Sequence, residues 1–296
     1  MVLTERYLNL FRKLSSYGML TTKQIASNVF QSIATTTVLR RLRILEAGHL
    51  IKRIIGLETH EKLWILTEKG AGMADVPLAK RNWSKNLLEH DHKLLSLRLE
   101  LEKFGIAHSW TPEHEIRSMI ISKYGIREAK KKLIPDGLMI SSFQNKKVPV
   151  AIELELTLKS QSRIRQIIKR YQAKKDLQAV WYVSNSKSIL KSVFREWINN
   201  KDTNKSILLY GSLFEEVLKY SLEAQLWSET GILKVKDIWT PGSAHSPAQN
   251  LSRHVRSPNQ PPPLPSLENH LEKDESLFCK IAGSTTDLPL PTLLRV

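Results

Sequence analysis

The sequence predicts an α/β (α+β) protein of two folded regions followed by a disordered tail, and three observations lead there. Short helical apolar periods followed by two β-like runs fill the first 75 or so of its 296 residues. From Ile106 onward, β-like runs alternate with helical stripes. At Pro241 the composition changes, since nine of the 13 prolines lie at or beyond that residue.

Charge sharpens this division. The formal net charge is +16, yet the segment from Pro241 carries five basic residues and five acidic ones. The positive excess therefore lies wholly in the first 240 residues, and a folded region of that charge attracts polyanions, nucleic acid first among them. No stretch approaches the ~18 consecutive apolar residues of a spanning helix. Glu5, Arg6 and Asn9 interrupt the place where a signal peptide would need its apolar run. One cysteine, Cys279, makes no internal disulfide, and a cytoplasmic location is expected.

In the first region Leu3, Tyr7, Leu10, Phe11 and Leu14 follow a helical period that Gly18 stops. Thr21 or Thr22 caps a second helix, a polar break follows at Gln31 and Ser32, and a third helix spans about 34–47. Two apolar runs, HLIKRI and KLWILT, flank Gly56 and a polar stretch. Three helices, a strand, a wing and a strand make a winged helix-turn-helix. On its third helix Val38, Leu42 and Leu45 face the core, while Thr36, Arg40 and Arg43 line another face with Thr37 and Arg41 beside them. A solvated charged face is the plainer reading of such a run. On the second helix of a helix-turn-helix in so basic a chain, the face suits base edges and phosphates of the major groove.

A long helix is expected over 83–104, with a stripe of Leu87, Asp91, Leu94, Arg98 and Leu101. Then come the strands HSWTPEHEI, LIPDGLMIS and VPVAIELELT, a helix over 160–174, the strand AVWYVS, the helix ILKSVFREWINN and the strand SILLYG. This alternation predicts a mixed sheet. The expected domains are 1–78, 79–240 and the tail 241–296, whose PPPLP run suits polyproline II.

The chemistry concentrates in LIPDGLMIS and VAIELELTLKS. Asp136 opens one strand; Glu153 and Glu155 share a face of the next, because side chains alternate. Carboxylates in an apolar strand are costly unless something positive meets them, and a hard divalent cation such as Mg²⁺ or Mn²⁺ would.

This layout resembles the PD-(D/E)xK nuclease superfamily, which implies a restriction-endonuclease-like domain with Asp136 and Glu153 as metal ligands. That template places lysine at position 155, where this chain has Glu155. Either the site is inactive or another lysine serves, and Lys159 is the candidate. The spacing E-x-E-x-x-x-K, behind a Pro-Asp strand and a winged helix, resembles the MOBC class of plasmid mobilisation relaxases and the related replication-relaxation proteins over about residues 4–200. The resemblance implies nicking of one strand at a plasmid transfer origin, with Asp136, Glu153, Glu155 and Lys159 catalytic. It implies a metal held by Asp136, Glu153 and Glu155, double-stranded DNA as partner, and a coupling or accessory mobilisation protein as a further one. The rival reading is a non-catalytic regulator of plasmid replication or transfer with a degenerate nuclease fold.

Other residues take lesser places. Arg163 and Arg170, with Arg165, Lys169 and Lys130–Lys132, are expected to track phosphates. His90-Asp91-His92 is set aside as a metal pair, because residues i and i+2 of a helix point apart. Glu89, Glu113 and Glu115 read as surface ion pairs, and Tyr171 reads as core rather than as a nucleophile.

Overall fold

The computed structural model describes residues 4–54, 62–78, 85–143, 146–174, 176–200 and 207–239. The wing tip, the first residues of the long helix and the expected disordered tail lie outside these residues. The chain forms two compact units. One runs as far as Leu99 and adds Thr111–Asp136; the other takes Glu100–Trp110 and the chain from Gly137.

The first unit begins with α1 (Glu5–Tyr17), which stops at Gly18, whose φ of 79° suits a residue without Cβ. After β1 (Leu20–Thr21), Thr21 caps α2 (Thr22–Asn28): its Oγ1 accepts from the Gln24 amide at 3.1 Å, and Gln24 Oε1 accepts from the Thr21 amide at 2.8 Å. The turn into α3 (Thr35–Ala47) passes through Ser32 at φ 67°. Strands β2 (Ile51–Ile54) and β3 (Leu63–Leu66) complete a three-stranded antiparallel sheet in the order β1-β3-β2. Val38, Leu42 and Leu45 of α3 are wholly buried with Leu10, Phe11, Ile25 and Trp64. Each such side chain contributes roughly 1.5–3 kcal/mol. The winged helix is therefore present as expected, and its third helix is held by the stripe that the sequence marks.

Helix α4 (Glu68–Ala74) follows, close enough to the sheet that a Cβ on Gly70 would lie 2.1 Å from the Leu50 carbonyl oxygen. In α5 (Lys85–Lys103) the expected stripe is displaced by one residue at its start. Leu87 is exposed, while Leu88 and Leu95 join the core of the first unit. Arg98 is buried there. Its guanidinium donates to the Ser16 carbonyl (2.9 Å) and hydroxyl (3.0 Å) and lies 4.2 Å from the Tyr17 ring centroid. These contacts tie α5 to the winged helix, so the expected boundary at 78/79 falls inside this unit.

The strand expected through HSWTPEHEI is only half a strand. β4 (Ser109–Pro112) gives way to α6 (Glu113–Ala129), a helix broken at Gly125, where φ is 79°. Glu113 and Glu115 sit in the first turn, where a helix favours negative charge, and Ile116 and Ile120 bury one face.

The second unit is built on a seven-stranded mixed sheet in the order β10-β9-β8-β7-β6-β5-β4. Its members are β5 (Gly137–Phe143), β6 (Lys146–Glu155), β7 (Ala179–Ser184), β8 (Leu208–Leu213), β9 (Gln225–Ser228) and β10 (Gly231–Lys234), with the edge strand β4. β5 runs antiparallel to β6; β6, β7 and β8 run parallel. Helices α7 (Gln161–Gln172) and α8 (Lys187–Asn199) connect these parallel strands. Both crossovers step the same way along the sheet, so right-handedness puts both helices on one face. Arg165 Nε joins them by donating to Glu196 Oε2 at 3.0 Å. All six residues of β7 are buried. Short helices α9 (Phe214–Tyr220) and α10 (Val235–Ile238), absent from the sequence expectation along with β9 and β10, finish the unit. No described helix is long and apolar enough to cross a membrane.

Candidate nucleic-acid interface and acidic cluster

On α3 the two stripes separate as the periodicity demands. Thr36, Arg40 and Arg43 are exposed, Thr37 and Arg41 half-buried. The Arg41 guanidinium lies 5.7 Å from the Phe30 ring centroid, so this arginine is partly committed to packing. What remains outward is a hydroxyl and two forked cations at one-turn spacing, the chemistry that reads base edges and grips phosphates.

Within the second unit β6 ends in the acidic residues. Glu153 is half-buried, Glu155 is 7% exposed, and between them Leu154 points to the opposite face. Lys159 follows β6 just before the Ser160 cap of α7, and its ammonium donates to Glu155 Oε2. Lys159 thus reaches back four residues to the second acid of β6. Tyr171, 1% exposed on the inner stripe of α7, donates its hydroxyl to Glu153 Oε1. Its burial agrees with a core residue, but the phenol has a polar task that sequence reading missed.

Asp136 closes the first unit, immediately before β5, whose Gly137 pairs with Ile152, the neighbour of Glu153. A Cβ on Gly137 would lie 2.3 Å from the Trp110 ring, so glycine after Asp136 lets the indole lie against the strand. Asp136 Oδ2 stands 3.3 Å from His90 Nε2, and His90 Nδ1 stands 3.4 Å from Asp91 Oδ1. Burial alone would push the imidazole down; hydrogen bonds to Asp136 and Asp91 and the charges of both outweigh it and push His90 up to about 10. His90 is therefore an imidazolium at neutral pH, facing two carboxylates. Its place on the helix α5, two residues from His92, agrees with setting that pair aside as a metal motif. The only sequence sign of its role is the polar interruption of the α5 stripe at Asp91.

The donor chemistry of Asp136, Glu153 and Glu155 fits a hard divalent cation. Their side chains are held by protein partners instead, and among the described residues no three His, Cys, Asp or Glu side chains are grouped to hold a metal. Arg163 and Arg170 are exposed on α7. Of the lesser acids, Glu89 pairs with Lys93 at 2.9 Å and Glu113 pairs with Arg117. Glu115 is instead half-buried; burial pushes its carboxyl up, and Arg98 partly offsets this.

No protein-family model and no curated protein matches the chain. Among solved structures, a cysteine-to-serine mutant of Lactococcus lactis ZitR in complex with DNA is 21% identical, over 44% of this chain and 75% of that one, with a TM-score of 0.22. The transcriptional regulator PA4135 gives 21% identity over 44% of this chain and 78% of that one, also at 0.22. Bacillus subtilis PadR in complex with operator DNA gives 17% identity over 43% and 92%, at 0.21.

Proposed function

We propose that this chain binds double-stranded DNA through α3 of its winged helix and nicks one strand of it at the β6–α7 junction, as a plasmid mobilisation relaxase would. The observation that carries the nicking reading is the contact of Lys159 with Glu155, since it supports a working lysine displaced from the template position. DNA binding is supported by the exposed Thr36, Arg40 and Arg43 face in a chain of net charge +16.

In this reading α3 positions the duplex and Lys159 stabilises charge that builds on the scissile phosphate. Asp136, Glu153 and Glu155 would hold Mg²⁺ or Mn²⁺, which supplies polarisation of the phosphate and a water of lowered pKa. Tyr171 and Lys159 orient the two glutamates, and His90 orients Asp136. A second reading, a DNA-binding regulator with a retired nuclease fold, is favoured by the same partners: Lys159 and Tyr171 already engage both β6 acids.

Supercoiled plasmid bearing the DNA next to the coding sequence tests the choice. Conversion to open circles only with Mg²⁺ or Mn²⁺, lost in Asp136→Asn and Glu153→Gln while duplex affinity holds, is the expected result. Tight binding with no nicking in either metal would leave the regulator.

A further inference from the structure

The outer surface of α7 and α8 holds a charge arrangement that neither the winged helix nor the acidic cluster explains. On α7, Arg163, Lys169 and Arg170 are exposed, and on α8 Lys187, Lys191 and Arg195 are exposed. The three on α8 recur every fourth residue, so they form one stripe along the helix. Neither helix exposes an acid. α7 contains none, and the sole acid of α8, Glu196, is 3% exposed and taken by Arg165 and Asn200. Arg165 adds a seventh, half-exposed cation whose hydrogen bond holds Glu196 below the usual carboxylate range.

The helix starts point the same way. The first turns of α7 and α8 contain no acidic residue, although the positive end of a helix favours one; they hold Arg163 and Lys187 instead. Both starts lie at the C-terminal ends of parallel strands, where Glu155 pairs in register with Ser184. Two helix N-termini and their cations therefore gather at the edge where Lys159 meets Glu155. With Glu155 already engaged by Lys159, such a concentration favours a further anion.

We infer that the α7–α8 surface is a second contact face for duplex DNA, one that grips phosphates without reading sequence; the inference rests on the DNA-binding reading above. Each helix is about 18–20 Å long at 1.5 Å per residue. The same length of duplex presents about ten phosphates. Six exposed cations over that length, none in an ion pair among the described residues, match a backbone rather than a single phosphate group. The exposed stripes contain no aromatic side chain on which single-stranded bases would stack, which favours duplex over single strand. They also lack the row of large apolar residues that an interfacial membrane helix buries, Ile198 being the one exposed large apolar side chain. The face differs from α3 in kind: α3 discriminates, and this face supplies affinity and brings the strand across the β6 edge.

The full chain carrying Lys187→Gln, Lys191→Gln and Arg195→Gln together tests this, beside a second triple variant at Arg163, Lys169 and Arg170. All six side chains are exposed, so thermal midpoints should match the wild type. Fluorescence anisotropy is measured on the preferred duplex and a scrambled one at several salt concentrations. The expected result is an equal loss on both duplexes, on the order of 10²-fold near 0.1 M salt. The log–log salt slope should flatten by up to about 2.7, at about 0.9 per lost phosphate contact. Unchanged affinity and slope in both triple variants, with Arg40→Ala still weakening the preferred duplex, overturns the second face and leaves DNA binding standing. Loss on the preferred duplex alone overturns it too, by making the face a reader. Co-sedimentation with phosphatidylserine vesicles that the variants abolish, without any change on DNA, replaces duplex with a lipid surface. A wild type that binds no duplex at all removes the DNA reading itself.

Discussion

The face of α3 and the end of β6 treat charge in opposite ways. Arg40 and Arg43 stand exposed, with no ion-pair partner among the described residues, whereas Glu155 and Glu153 are each engaged by a donor from the same unit. The reason is burial. An exposed guanidinium is solvated and can wait for its ligand, but a carboxylate in an apolar strand costs several kcal/mol unless a donor meets it. Lys159 and Tyr171 are those donors. The proposed duplex contact at α3 would therefore need no rearrangement and no metal, while the proposed cation at β6 would have to displace or share existing partners.

That contrast is broken most directly at Lys159. Lys159→Ala should reduce nicking by about 10²-fold or more, the usual consequence of removing a group that stabilises developing charge. It should also lower the thermal midpoint, because Glu155 is left buried without its cation. Adding Glu155→Gln should restore the midpoint without restoring nicking. Recovery of both in the double variant would mean that Lys159 only neutralises Glu155, and the catalytic assignment would go.

The α3 side of the comparison carries a smaller effect. Arg40→Ala or Arg43→Ala should weaken the preferred duplex by about 1–3 kcal/mol and leave a scrambled duplex less affected, if the arginine reads a base. Neither change should alter the metal dependence of nicking. Equal losses on both duplexes would turn the residue into a phosphate contact.

The same contrast explains what the sequence makes legible. The stripe of Val38, Leu42 and Leu45 against Thr36, Arg40 and Arg43 is a local period within one helix, and it survives intact in the fold. The alternation of β6 likewise puts Glu153 and Glu155 on one face. The partners of the acids are not legible, since Tyr171 lies 18 residues from Glu153 and His90 lies 46 from Asp136. No spacing rule spans such gaps. Arg98 escapes the sequence for a related reason: a charge on an apolar stripe reads as an imperfection until Ser16 and Tyr17 supply its partners. The unexpected α6 has a local cause. Trp110, Thr111 and the surrounding alternation favour a strand, and the switch at Pro112 to a helix led by Glu113 and Glu115 reads as its continuation.

The smallest expected effect tests burial alone, at an acid with neither a metal role nor a full ion pair. Burial raises the Glu115 carboxyl above its ordinary 4.5, with Arg98 partly offsetting it. A carboxyl raised on folding binds its proton more readily in the folded state. Its contribution is therefore favourable at low pH and is lost as pH rises through the folded value. At pH 7 the ionised Glu115 is a net cost, and Glu115→Gln should raise the thermal midpoint slightly. The gain should stay below about 1 kcal/mol, because the position is only half-buried and water screens part of the charge. It should shrink toward zero as pH falls into the carboxylate range. A variant less stable than the wild type at pH 7, with the gap closing in acid, would reverse the sign. Glu115 would then be a working partner of Arg98, and the first unit would hold a paired acid like those at the end of β6.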